Sequence, residues 1–133
     1  MIAFLKSYGV AFVAFITIDL VWLGFVANKV YSKYLGFIMR PKPDWIVAII
    51  FYLLYLAGLV FFVISPALEK QSWKYALFGG MFFGLVTYAT YDLTNLATLK
   101  DWPPLITLID LIWGTTLGGL VSFVTWWVIT RIG

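Results

Sequence analysis

The chain predicts an all-α integral membrane fold, a four-transmembrane-helix antiparallel bundle with both termini on the same face, and three observations support it. Four apolar stretches, at about 7–28, 45–65, 73–98 and 104–130, are each long enough to cross a hydrocarbon core of roughly 30 Å, which takes about 20 helical residues. The composition is 63% hydrophobic, 20% aromatic and only 11% charged, with a mean hydropathy of +0.98, far from the balance of a soluble domain. Turn and capping residues separate the four stretches, so residues 1–133 read as one domain.

The first stretch, Ser7 to Asn28, is too long for a cleaved leader and is interrupted by Asp19. It also lacks a small-residue cleavage site before Lys29, so it is read as a retained helix. Asp44 is placed to cap the second helix, and Pro66 to stop it. Ser72 caps the third and Asp101 the fourth, whose first turn tolerates Pro103 and Pro104 because amide hydrogens lack partners there. Trp45, Trp73, Trp102, Trp126 and Trp127 fall near helix ends, where an aromatic belt sits. The longest connection, Lys29 to Pro43, mixes apolar side chains with four cations and suits a stretch lying in the headgroup layer. Basic residues are balanced between the two faces: Lys6, Lys70, Lys74 and Arg131 against Lys29, Lys33, Arg40, Lys42 and Lys100, which favours neither orientation.

Composition also excludes chemistry. There is no cysteine and no histidine, which removes thiolate metal sites, the commonest general base and the usual haem ligand. No Walker loop, dinucleotide fingerprint, nucleophile elbow or zinc motif is present, and no cofactor is expected. The net charge of +3 is spread over segment ends with no basic cluster, so no nucleic-acid partner is expected.

What the apolar stretches do contain is acid. Asp19, Asp92 and Asp110 each lie inside a predicted span, where an acidic side chain costs about 2.5–3.5 kcal/mol on insertion scales and marks a functional or helix-pairing site. Counting helical rise from the predicted ends puts all three at a similar depth below one face, roughly 9–14 Å in. Tyr52 and Tyr55 reach the same layer from the second helix. Three acids in one layer cannot all be charged, so a cation binds among them or burial and repulsion keep some of them protonated. In the third helix Gly80, Gly84, Tyr88 and Asp92 recur every four residues, with Asn95 following; in the fourth, Asp110, Gly114, Gly118 and Ser122 do the same. Small residues at this spacing let membrane helices approach closely, so the two stripes are expected to face each other. A faint echo links Ile18-Asp19-Leu20-Val21-Trp22 to Ile109-Asp110-Leu111-Ile112-Trp113, each with tryptophan three residues after the acid. Such an echo is compatible with an inverted two-helix repeat and equally with chance.

The run YDLTNLATLKDW followed by IDLIWG, with IDLVWLG in the first helix and FYLLYLAGLVFFVISPAL in the second, resembles the bacterial membrane protein family catalogued as domain of unknown function 2177. The resemblance covers nearly the whole chain and implies a small four-helix protein of the inner membrane. It carries over no activity and no catalytic residues.

The expected site is therefore a ligand- or proton-binding one. Asp92 and Asp110 hold a proton or cation, Asp19 completes the cluster, and Asn95, Tyr52 and Tyr88 position a ligand. Trp22 and Trp113 are read first as packing; Trp113 is also placed in the site, where it would stack on a ligand or cover a cation. Catalytic and metal-ligating residues stay unassigned. The expected partners are membrane lipid and a small amphiphilic ligand or a cation, acted on by an enzyme or a proton-linked carrier. Alternating access in four short helices would require a homo-oligomer. The alternative is a structural or accessory subunit whose acids only fasten helices or a partner.

Overall fold

A computed structural model describes residues 2–132, so the single domain read over 1–133 extends one position beyond it at each end. The described chain contains four long helices and no strand: α1 (Ile2–Leu35), α2 (Trp45–Glu69), α3 (Trp73–Thr98) and α4 (Pro104–Ile132). By length and composition α1, α2 and α4 are apolar enough to cross a membrane. α3 spans 26 residues and falls outside that set, because Lys74, Asp92, Asn95 and its glycines, tyrosines and threonines lower its hydropathy. Four expected crossings thus become three candidate spans and one more polar helix.

Two of the expected caps form. Asp44 accepts hydrogen bonds from the amides of Ile46 at 3.1 Å and Val47 at 3.3 Å, and Ser72 accepts from Tyr75 at 3.0 Å. Asp101 does not cap α4. It lies three positions before Pro104 with φ 60, a left-handed turn residue in the short α3–α4 connection, which aspartate tolerates better than most side chains. Pro66 does not stop α2 either. Val60–Ile64 forms a π turn in which the Ser65 amide bonds to the Val60 carbonyl, and this widened turn relieves the ring–carbonyl clash that ends a regular helix at proline.

α1 departs most from expectation. A second π turn, Leu23–Ala27, is followed by a helical continuation over Asn28–Leu35, so half of the expected headgroup-layer connection belongs to the helix. Leu35 packs on Trp102 and Ile106, with Val30, Tyr31 and Tyr34 beside them. Trp102, expected in the aromatic belt, is buried beneath this extension and donates to Thr107 Oγ1 at 3.0 Å.

The closest packing is between α3 and α4. Position 80 meets 118 and 122, position 84 meets 114 and 118, and position 92 meets 107, so the pair runs antiparallel with the two glycine stripes facing. A methyl added at Gly84 would overlap the carbonyl oxygen of Gly114, and one at Gly80 the carbonyl of Gly118 and the hydroxyl of Ser122. Such contact lets backbones touch where lipid offers no hydrophobic drive. α1 and α2 close the other side through a core of Ala11, Phe15, Tyr55, Leu56, Leu59 and Val60, with Phe15 set 5.2 Å from Tyr52 and 5.7 Å from Tyr55, ring centre to ring centre. Much of the outer surface of α2 is apolar and exposed, from Ile46, Ile49 and Ile50 to Leu54, Phe61 and Phe62, a patch that suits lipid and not water.

Gly84→Ala is expected to lower the unfolding free energy of the purified protein by about 1–3 kcal/mol or more, because the helices must separate to admit the methyl. Gly9→Ala, where nothing lies within 4 Å, should leave stability unchanged or raise it by up to about 1 kcal/mol. Thermal unfolding in detergent compares the two, and equal losses would contradict the packing described.

Candidate functional site

The turn that joins α3 to α4 sets the heights of their acids. Thr107 accepts from Trp102 and lies 3.5 Å from the carbonyl oxygen of Asp92, to which its hydroxyl donates. With the glycines drawing the helices together above this point, Asp92 and Asp110 come close enough to influence each other electrostatically. Asp92 is fully buried, and neither of its carboxyl oxygens has a hydrogen-bond partner among the described residues. Two neighbouring buried carboxylates with no cation at hand disfavour double ionisation, and one proton shared between them would relieve the repulsion.

Asp110 has one further partner. The Tyr31 hydroxyl, carried over the start of α4 by the extension of α1, donates to Asp110 Oδ1. The Tyr31 ring meets Trp22 edge to face at 6.5 Å, and Trp22 in turn lies on Trp113 with ring centres 4.3 Å apart and planes within 9°. The echoed acid-to-tryptophan spacing of α1 and α4 thus ends in one stacked pair, of a kind that contributes about 0.5–1.5 kcal/mol beyond its buried area. The echo stops at the glycines, since Gly24 faces open space whereas Gly114 is pressed against the Tyr88 ring.

These groups border a cavity of about 450 Å³. Asp19, Trp22, Leu23, Tyr31 and Leu35 come from α1; Ala48, Phe51 and Tyr52 from α2; Thr87, Tyr88 and Tyr91 from α3; Asp110 and Trp113 from α4. The volume lies within the range of small-molecule sites. Phe51 and Tyr91, both exposed, stand at its rim, and no Lys or Arg lines it. Asp19 is 8% exposed, faces the cavity, and takes no hydrogen bond from another described residue. The groups nearest it electrostatically are Tyr52, Tyr55 and Tyr88.

Of the residues singled out in the sequence, Asp19, Asp110, Tyr52, Tyr88 and Trp113 border the cavity. Asp92 lies behind Asp110 and does not reach it; Asn95 stands one turn on, beside the Tyr91 side chain. The acids therefore divide into two that border the cavity, Asp19 and Asp110, and one buried behind it, Asp92, and among the described residues no three acidic groups could hold one metal ion. Sequence reasoning missed Tyr31, and the signal was present: Ala27, Tyr31 and Leu35 fall at four-residue spacing and all turn inward.

Tyr31→Phe is expected to cost about 1–3 kcal/mol of stability by removing the donor to Asp110 while keeping the ring against Trp22. In the double variant with Asp110→Asn the losses should sum to less than the two singles, since both remove the same bond. Additive losses in thermal unfolding would show that the two side chains do not interact.

No curated protein and no solved structure matches the chain. The family model described as "Predicted membrane protein (DUF2177)" matches residues 4–127, nearly the whole chain, and the protein belongs to that membrane protein family.

Proposed function

We propose that this is a bacterial inner-membrane protein whose four helices all cross the bilayer, with both termini on one side, and whose cavity binds the polar head of a lipid-like amphiphile. The observation that carries the reading is an aromatic-walled cavity with two separate acidic side chains on its border, Asp19 and Asp110, in a chain whose outer surface suits lipid. Intramembrane acids usually mark ligand or ion paths, and a concave, mostly apolar space with a few convergent polar groups is the ordinary form of a ligand site. Phe51 and Tyr91 at the rim offer an entrance at which a ligand's apolar part stays in the membrane while its head reaches Tyr31 and Asp110. Asp92 holds the proton that keeps Asp110 in place. For Asp92 the accessory-subunit reading also has a specific observation behind it, because this residue is fully buried and does not border the cavity.

The test is to purify the protein from membranes in mild detergent and identify bound amphiphiles by mass spectrometry. The expected result is an amphiphile retained by the native chain and reduced by about tenfold in Ala48→Phe, which fills the cavity from α2, and in Asp110→Asn, with both variants folded. Equal amphiphile content in all three proteins would favour acids that serve only to fasten helices.

A further inference from the structure

Resting on the reading of the cavity as a ligand site, we infer that the head group it takes is an organic ammonium cation. Three features select this chemistry over a neutral or anionic head. Asp19 is nine-tenths buried, borders the cavity and has no hydrogen-bonding partner among the described residues, so its charge or proton is left for something that enters. The border holds no Lys or Arg to receive a phosphate or carboxylate, and Asp19 and Asp110 would repel either. Most of the rest of the wall is aromatic, with Trp22, Trp113, Tyr31, Tyr52, Tyr88 and Tyr91 around the two acids. Aromatic rings attract a bulky, weakly hydrated cation that a small metal ion's hydration shell would keep away, and desolvated sites strengthen this attraction. No three-acid group that could hold a bare metal ion exists among the described residues, which agrees with a large cation bound by one carboxylate and several rings.

The ammonium has two sources of the same chemistry, the head of an aminolipid or a free amine, and the test separates them. Benzyltrimethylammonium, benzyl alcohol and benzoate are titrated calorimetrically into the full chain in nanodiscs made of phosphatidylglycerol alone. The cation is expected to bind at least about tenfold more tightly than the alcohol, with benzoate not binding. Asp19→Asn should lower cation affinity by about tenfold or more, and Asp19→Glu should recover part of it. Trp113→Leu supplies a second variant that keeps both charges and weakens cation binding more than alcohol binding. Adding phosphatidylethanolamine to the nanodiscs competes with the cation if the source is lipid and leaves its affinity unchanged if it is a free amine; either result supports the assignment. Equal affinity for alcohol and cation, or cation affinity indifferent to both Asp19→Asn and Trp113→Leu, overturns it. In that case an amphiphile retained by the native chain and lost from Ala48→Phe would leave the cavity a ligand site of different chemistry.

Discussion

Everything at the centre of this protein depends on how closely α3 and α4 approach. Gly80 and Gly84 lie against Gly118 and Gly114 with so little space that a single methyl would collide with backbone. Where lipid supplies no hydrophobic drive, this contact is the means of association, and it brings Asp92 and Asp110 together at depth. Left apart, each acid would face apolar surroundings alone. Brought together, they are expected to share a proton, and Asp110 also meets the Tyr31 hydroxyl and borders the cavity.

α1 completes what α3 and α4 begin. Its inward residues, from Ser7 through Ala11, Phe15 and Asp19 to Ala27 and Leu35, recur every four positions, a spacing that drifts by about 40° per step on a regular α-helix. The π turn at Leu23–Ala27 admits an extra residue and turns the following face back toward the bundle, which is how Tyr31 arrives over Asp110 and Leu35 over Trp102. The same device in α2 carries the helix through Pro66. Between the two irregular helices and the tight pair lies the cavity, so the irregularities stand beside the space and the regular pair supplies its floor.

Much of this was legible in the chain because it rests on spacing. The four-residue stripes of glycine and acid announced the α3–α4 contact, Asp44 and Ser72 announced their caps, and Trp22 and Trp113, read first as packing, lie stacked on each other. What escaped was what depends on a change of helical turn or on burial from above. Tyr31 lies among lysines in a segment whose composition suits a headgroup-layer connection, and only a π turn brings it inward. Trp102 has the position of a belt residue and is buried because that same segment covers it. Asp101 has the composition of a cap, yet the two prolines after it move the helix start onward and leave it in the turn.

The proton held between Asp92 and Asp110 is the claim most directly open to measurement. Infrared spectra of the purified protein at neutral pH should show a protonated-carboxyl band that disappears in both Asp92→Asn and Asp110→Asn and persists in Asp19→Asn. Absence of any such band, or one that survives both substitutions, would contradict the account.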